Sequence, residues 1–396
     1  MSGGPTELRN RLVVAAFYLI AGIALLEIIF RVFVFPEWKS VSLATFVKHP
    51  FYGTFQKPNQ VVRRFNPPNY DVVNRTNSLG FRDREEGFER DLSGIWSAGA
   101  SNSYGGFVED DQIYSALLQA QGYLTANLSS EGHRIDKQVR VIRHLASQGH
   151  RPRAVLVEMT LNNALGDYTQ ALKELAQPLP EPGVAETEKQ APTASVLLMD
   201  KLRSLRGLAS VSWIGVKAKL INNSAFYCWL KVGINSVPWL RGWTLKVGLR
   251  ADVAFADPAA PDLMEDIPGN PNEKLIDSTA EYAAAIQSWV GDNVDVPFAI
   301  VLIPSHHHLN KERFRRYREH LGRKEGELDP TRIHRRLLGE LKKRNVMVLD
   351  MEPVLMANSD RMLSFPDDGH MNAAAHALVA REIFRRLPSL GLEPDQ

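Results

Sequence analysis

Two short stretches of the chain contain residues that could catalyse acyl transfer. Ser101 lies in GASNSYGG, a turn of small residues, and His370 follows Asp367 by three residues in FPDDGHMN. A serine hydroxyl is a weak nucleophile, so it needs a base within hydrogen-bond reach and a third group that orients this base. These residue types therefore predict Ser101 as a nucleophile, His370 as its base and Asp367 as the carboxylate that orients the imidazole.

Two further stretches could stabilise the negative charge that develops on the attacked carbonyl oxygen. Such an oxyanion needs hydrogen-bond donors that are already in place. Gly132, in NLSSEGHRIDKQ, has no side chain to screen its N–H, and Asn162 lies at the end of the apolar run in VLVEMTLNNALGD. We predict an oxyanion hole formed by the N–H groups of Ser101 and Gly132 and the side-chain amide of Asn162. Ser101 as a turn serine and Asn162 as a helix cap are the structural alternatives.

Other polar residues near these stretches have competing interpretations. Asp368 competes with Asp367 for the orienting role, and either carboxylate could instead cap the C-terminal helix, with His370 on its first turn. His376 falls on the apolar face of that helix and is expected to pack in the core. The histidines at 306–308 are expected on an extended loop at the mouth of the site, where neighbouring side chains point to opposite faces. No metal site is therefore predicted, and without a phosphate loop or dinucleotide fingerprint no cofactor is predicted.

The elements that must position these residues follow an alternating pattern after residue 93. Short apolar runs alternate with amphipathic helical stretches, which is typical of a doubly wound α/β fold with a parallel sheet. Sites in such folds form at the carboxyl ends of the strands, where all four stretches fall. The predicted strands are Ile95–Ala98, Tyr123–Leu128, Ala154–Met159, Phe298–Ile303 and Val346–Met351.

The ordered set of stretches resembles the SGNH (GDSL-like) hydrolase superfamily, in which Ser, Gly, Asn and His come from four successive blocks. The stretch NSLGFRD at 77–83 is also similar to a leader found before the first block in envelope-located members. The resemblance implies a flavodoxin-like three-layer α/β sandwich, with a central parallel sheet, and serine ester chemistry. The residues that match the blocks are Ser101, Gly132, Asn162, and Asp367 with His370.

The chain departs from the family's pattern at three supporting positions. Ala100 stands where the family has the aspartate of Gly-Asp-Ser. Thr160 and Asn163 stand where it has the glycine and the aspartate of Gly-x-Asn-Asp. Because every proton-handling residue is retained, the pattern favours an active enzyme, and a catalytically inactive scaffold is the competing interpretation.

The N-terminus contains an apolar run, Leu12–Phe35, that is long enough to cross a bilayer as one helix. Arg9 and Arg11 precede it, no signal-peptide cleavage site is evident, and Glu27 and Arg31 are spaced to pair on one helical face. These features predict an uncleaved single-pass anchor in the inner membrane, with the rest of the chain facing the periplasm or the cell exterior. A buried helix of a soluble protein is the alternative.

The chain is expected to divide into an anchor at 1–39, an extended lead-in at 40–93 and a catalytic domain at 94–396 with an inserted helical segment at 170–280. Within the insertion, Lys201–Arg250 has nine Lys/Arg, no Asp or Glu, and four of the seven tryptophans. This composition is typical of a surface that meets a membrane or an anionic polymer. An inserted subdomain with tryptophans in its core is the alternative.

These features predict a membrane-anchored serine esterase or O-acyltransferase. The family resemblance implies an acylated, above all acetylated, polysaccharide as substrate and suggests a membrane acyltransferase as a partner. A lipase or thioesterase with the insertion as a lid, and an inactive scaffold subunit, are the alternatives. A net charge of +2 excludes little, the single Cys228 excludes an intramolecular disulfide, and nucleic acid is not expected outside the cytoplasm.

Overall fold

The computed structural model describes residues 5–34, 45–66, 69–179, 224–237, 239–240, 243, 263–265, 270, 272–365 and 369–395. Most of the predicted insertion at 170–280 lies outside these residues, as does the predicted end of the anchor after residue 34. The carboxylates of Asp367 and Asp368 also lie outside them.

The strands form one parallel sheet and two antiparallel hairpins within the described residues. Strands β1 and β2 pair in the first hairpin, β3 and β4 in the second, and β5 to β9 form the parallel sheet. The strands are β1 (Phe46–His49), β2 (Gly53–Gln56), β3 (Val61–Asn66), β4 (Tyr70–Arg75), β5 (Ile95–Ala98), β6 (Thr125–Asn127), β7 (Ala154–Thr160), β8 (Phe298–Ile303) and β9 (Val348–Asp350).

Helices of different lengths connect these strands. An apolar N-terminal helix precedes the first hairpin, and the crossover connections of the parallel sheet are helical, as parallel strands require. The helices are α1 (Pro5–Ile29), α2 (Phe88–Asp91), α3 (Ser101–Tyr104), α4 (Tyr114–Ala120), α5 (Ile135–Ser147), α6 (Leu161–Ala164), α7 (Thr169–Leu175), α8 (Ala225–Ser236), α9 (Glu273–Asn293), α10 (His306–Leu309), α11 (Lys311–His320), α12 (Arg332–Lys343), α13 (Glu352–Met356) and α14 (Ala373–Arg386).

The parallel sheet has the strand order β6-β5-β7-β8-β9. Counted within the sheet, this is the order 2-1-3-4-5 of one common doubly wound topology. The prediction of an α/β fold with a parallel sheet is confirmed, and the order is compatible with a flavodoxin-like fold. The predicted strands β5 and β8 match to the residue, β7 is one residue longer, and β6 and β9 are shorter than predicted.

Each face of the sheet has its own hydrophobic core. Along β7 the side chains alternate, so that Val155 and Val157 join one buried cluster and Leu156 joins the other. The first cluster packs against α5, α9 and α12, and the second packs against α4 and α14. Three layers result, with helices on both faces of a sheet whose central strands are wholly buried.

The lead-in forms hairpins that pack on the first layer of helices. The ring of His144 on α5 stacks on Phe51 at 4.0 Å between centroids. His133 donates from Nε2 to the carbonyl oxygen of Thr54 at 2.8 Å. The β1–β2 hairpin is therefore fixed to the α/β layer through histidine rings that burial keeps neutral, since it lowers the pKa of both His133 and His144 to about 4.

Helix α1 has the length and composition of a membrane-spanning helix. The stretch Asn10–Phe33 has 24 residues, and none of its most apolar window is buried in the protein. Arg31 Nε lies 2.7 Å from Glu27 Oε1, which confirms the ion pair expected from their spacing.

We predict that acid weakens the fold through the histidines of the hairpin junction. The folded pKa of His133 and His144, about 4, lies below the unfolded value of about 6.5, so the unfolded chain binds more protons between these pH values. The free energy of unfolding should therefore fall as the pH drops from about 6.5 toward about 4. Urea midpoints of the full chain in detergent, at about pH 7 and about pH 5, measure this loss.

A matched pair of variants isolates the contribution of one ring. His144→Phe keeps the stack on Phe51 but has no proton to gain, so its midpoint should shift less between the two pH values. His320→Gln, at an exposed position, should shift as the unmodified chain does. An unchanged shift in His144→Phe would contradict the assignment.

Candidate active site

The turn after β5 brings Ser101 to His370. Strand β5 ends at Ala98, and Ser101 is the first residue of α3, at the carboxyl edge of the sheet. Ser101 Oγ lies 2.9 Å from His370 Nε2, although 269 positions separate them in the chain. The His370 ring packs on Phe107 with 4.1 Å between ring centroids. The structure therefore brings together the predicted nucleophile and base in hydrogen-bonding geometry.

The loop that carries His370 is closed by backbone hydrogen bonds. Ser364 and Met371 form an antiparallel bridge, and Phe365 N donates to the carbonyl oxygen of His370 at 3.1 Å. Asp367 belongs to this closed loop, but its placement lies outside the described residues. Asn372 caps α14 by accepting from Ala375 N at 3.1 Å. His370 therefore precedes the helix, contrary to the alternative that placed it on the first turn.

The predicted oxyanion donors occupy the loops that follow β6 and β7. Gly132 has φ of +70°, and a Cβ built there would meet nothing within 4 Å. Its loop is tied to the nucleophile turn, because Ser130 N donates to the carbonyl oxygen of Gly99 at 3.0 Å. Within the described part of the chain, the N–H groups of Ser101 and Gly132 donate to no acceptor. Asn162 is the second residue of α6, and its side chain lies outside what is described.

A buried carboxylate, which the sequence reasoning missed, supports the nucleophile turn. Glu158 is 1% exposed and lies on β7, directly beneath the turn. Its Oε2 accepts hydrogen bonds from Ala100 N at 3.1 Å, from Ser103 N at 2.9 Å and from Ser103 Oγ at 2.5 Å. Helix α3 is only one turn long, so its first N–H groups depend on acceptors from outside the helix. The available signal was a single charged residue in the apolar strand AVLVEMT.

The same carboxylate is connected to the histidine loop by a chain of polar groups. The Thr160 hydroxyl donates to Glu158 Oε1, and Asn102 Nδ2 donates to Thr160 Oγ1 at 3.1 Å. Asn102 Oδ1 then accepts from Met371 N at 3.1 Å. Both halves of the Ser101–His370 pair are thus fixed to β7 through one buried network. Thr160, which stands where the SGNH pattern has a glycine, donates one hydrogen bond and accepts another in that network.

Gly99 is required by the close packing of this network. A Cβ at position 99 would collide with the side chain of Ser103 and would lie 2.7 Å from Glu158 Oε2. Ala100 is 1% exposed, and a larger or charged side chain would have to fit into the same packed turn. The turn therefore receives its carboxylate from a neighbouring strand and not from position 100.

Behind the nucleophile turn, the side chains of Tyr114 and His376 are buried. The hydroxyl of Tyr114 lies 2.6 Å from Ser103 Oγ, and Tyr114 N donates to His376 Nδ1 at 3.3 Å. Burial lowers the pKa of His376 to about 3, so the ring stays neutral and can accept this hydrogen bond. His376 is buried, as expected from its place on the apolar face of α14.

The expectation of an extended histidine loop is wrong. Residues His306–Leu309 form the short helix α10, because the Ser305 side chain accepts from His308 N and starts a helical turn. His307 stacks on Tyr317 at 4.3 Å between centroids and is buried. Burial lowers the pKa of His306 far below its usual range, and the neighbouring charges of His307, Arg313 and His370 lower it further.

One cluster of described residues has donor atoms that could hold a metal ion. His334 Nε2 lies 2.9 Å from Asp350 Oδ1 and 3.3 Å from Glu352 Oε2, while His308 Nε2 lies 3.1 Å from Glu352 Oε1. These are also ordinary hydrogen-bond distances between histidine rings and carboxylates, so the contacts do not require a metal ion. The prediction that the chain has no metal or cofactor therefore stays a prediction.

Comparisons with known proteins identify no family for this chain. No protein-family model matches the chain, and no curated protein matches it. A solved crystal structure is similar with a TM-score of 0.33 and 12% identity, over 76% of this chain and 98% of that chain. A likeness at this level carries no argument about fold or function. The resemblance to SGNH hydrolases therefore stays a hypothesis.

We predict that Glu158 is needed for the integrity of the nucleophile turn. Glu158→Ala leaves two buried N–H groups and the Thr160 hydroxyl without their acceptor, and each such loss costs about 1–3 kcal/mol. The free energy of unfolding should fall by about 3 kcal/mol or more, as measured in urea. Glu158→Gln keeps one acceptor oxygen, so its free energy of unfolding should fall by less. Glu393→Ala, on the exposed C-terminal segment, should leave the free energy of unfolding almost unchanged. Wild-type stability in Glu158→Ala would contradict this role.

Proposed function

We propose that this chain is a membrane-anchored serine esterase or O-acyltransferase of the SGNH type, with Ser101 as nucleophile and His370 as general base. The observation that carries the proposal is the 2.9 Å contact between Ser101 Oγ and His370 Nε2. This contact lies at the carboxyl edge of a doubly wound sheet, where such folds place their sites.

In the first half-reaction, Ser101 Oγ bonds to the acyl carbon while His370 Nε2 takes the hydroxyl proton. The carbonyl oxygen becomes an oxyanion, and the N–H groups of Ser101 and Gly132 are the donors proposed to stabilise it, together with the Asn162 amide. When the carbonyl forms again, the ester C–O bond breaks and His370 returns the proton to the leaving alkoxide. The acyl group then remains on Ser101.

In the second half-reaction, an acceptor hydroxyl attacks the acyl-serine. His370 takes the proton of the acceptor and returns it to Ser101 Oγ when the acyl–serine bond breaks. Water as acceptor gives hydrolysis, and a sugar hydroxyl gives acyl transfer. Asp367 is proposed to orient the imidazole, because it precedes His370 by three residues within a loop whose ends are bridged.

Partly buried aromatic rings lie beside His370, and they favour a substrate that has an apolar surface. Phe107 packs on the His370 ring, and Tyr70 contacts Phe107 at 5.0 Å and Phe365 at 5.3 Å between ring centroids. Such rings can contact an acyl group or the apolar face of a sugar. An acylated, above all acetylated, polysaccharide is the proposed substrate class, by analogy with the family resemblance.

The proposed location follows from α1. A 24-residue apolar span outside the protein core is long enough to cross a bilayer, and it supports a single-pass anchor. The basic residues before the span favour a cytoplasmic N-terminus, which would place the catalytic domain on the periplasmic or external side.

We predict that the detergent-purified full chain hydrolyses a small aryl acetate and that this activity depends on Ser101 and His370. Ser101→Ala and His370→Gln should each lower kcat/KM by about 10⁴-fold, because the loss of either residue disables the shared proton transfer. A fluorophosphonate should also form a covalent adduct, which mass spectrometry should locate on the peptide that contains Ser101.

Matched variants at exposed positions provide the controls. Ser359→Ala and His320→Gln change the same residue types away from the site and should keep full activity. Equal hydrolysis by Ser101→Ala and the unmodified chain would refute the nucleophile. Absence of both hydrolysis and adduct in a folded chain would favour an inactive scaffold.

A further inference from the structure

Helix α8 starts against the membrane anchor, and its first N–H groups are satisfied by side chains. Glu27, on α1, accepts from Ala225 N at 2.9 Å and from Phe226 N at 3.1 Å. Ser224 Oγ donates to the same carboxylate at 2.8 Å and accepts from Tyr227 N at 3.0 Å. The first three N–H groups of α8 therefore have acceptors that are not water.

These hydrogen bonds suit a helix start that lies in the hydrocarbon region of a bilayer, where water is absent. At an exposed helix start, water can satisfy the N–H groups, but in the hydrocarbon region each unsatisfied group costs several kcal/mol. Glu27 lies inside the apolar span, six residues or about 9 Å along the helix axis before Phe33. The start of α8 is at the same depth.

Aromatic packing fixes α8 along the anchor. Phe30 of the span contacts Trp229 at 4.7 Å and Phe226 at 5.6 Å between ring centroids. An apolar helix of twelve residues is typical of either a core helix or an interfacial segment. The exposure of α8 decides between these alternatives, because Trp229 and Leu230 are each 41% exposed.

The exposed tryptophans continue beyond α8. Trp239 is 71% exposed and Trp243 is 51% exposed, and both follow α8 in the chain. Tryptophan is favoured where hydrocarbon meets water, because its ring is apolar and its N–H is polar. The surrounding stretch Lys201–Arg250 has nine basic residues and no acidic one, which favours anionic lipid headgroups.

We propose that α8 is a second lipid-contacting helix, which lies beside α1 in the leaflet on the side of the catalytic domain and is held there by Glu27. The lipid that α8 contacts belongs to the same bilayer that the anchor crosses. This proposal rests on the anchor of the proposed function but not on the catalytic chemistry. Because α8 also lies against β3, it would hold the catalytic domain close to the membrane surface.

Spin-label accessibility of the full chain in vesicles of phosphatidylethanolamine and phosphatidylglycerol tests the proposal. In a Cys228→Ser background, one cysteine is introduced at Leu230 on α8, at Leu25 on the anchor or at Met362 on the α/β domain. All three side chains are exposed on the protein. Collisions of the label with oxygen report lipid, and collisions with a water-soluble nickel chelate report water. The oxygen-to-nickel ratio at Leu230→Cys should be several-fold above that at Met362→Cys and close to that at Leu25→Cys.

Variants of Glu27 test the hydrogen bonds that hold α8. Glu27→Ala should lower the ratio at Leu230→Cys toward that at Met362→Cys and leave the ratio at Leu25→Cys unchanged. Glu27→Gln, which keeps one acceptor oxygen, should lower the ratio at Leu230→Cys by less than Glu27→Ala does.

The two possible failures are distinguishable. A water-like label at Leu230→Cys beside a lipid-like label at Leu25→Cys would overturn this proposal and leave the anchor standing. Water-like labels at both positions would overturn the anchor and this proposal together. Hydrolysis by the same preparations reports separately on the catalytic proposal.

Discussion

The hydrogen bonds from the nucleophile turn to the buried carboxylate of Glu158 are the interactions on which the site depends. A one-turn helix cannot satisfy its own first N–H groups, and the turn is buried, so water cannot satisfy them either. Glu158 supplies the acceptor from the strand next to β5. Its own burial is tolerated because four donors surround its two oxygens.

This interaction also bears on the positions at which the chain differs from the SGNH pattern that it resembles. With Ala100 in the turn, the sequence lacks the carboxylate that the resemblance implies at that position. In the fold, Glu158 and Thr160 occupy the space beneath the turn, and Asn102 extends their contacts to the loop of His370. The carboxylate that supports the turn therefore lies on β7.

Partly buried polar contacts of a similar kind occur where α8 meets the anchor helix. Glu27 is a charged residue within an apolar span, where an unpaired carboxylate would be costly. Its carboxylate accepts hydrogen bonds from Arg31 Nε and from the N–H groups of Ala225 and Phe226 at the start of α8, so its charge is paired. In both places a carboxylate that is unusual for its element satisfies the N–H groups at the start of another helix.

The sequence by itself determined the α/β class, the positions of β5 and β8 and the anchor-like helix, and it predicted Ser101 and His370 as a candidate nucleophile and base. These features follow from local periodicity and from residue types that chemistry requires, both of which can be read along the chain. Only the tertiary structure decided that Ser101 and His370 meet, that Glu158 supports the turn, and that Glu27 caps α8. Those contacts join residues 55 to 269 positions apart, and only the order of strands in the sheet and the packing of helices on it bring such residues together. The helix at 306–309 was missed because a single serine cap, and no periodic pattern, starts it.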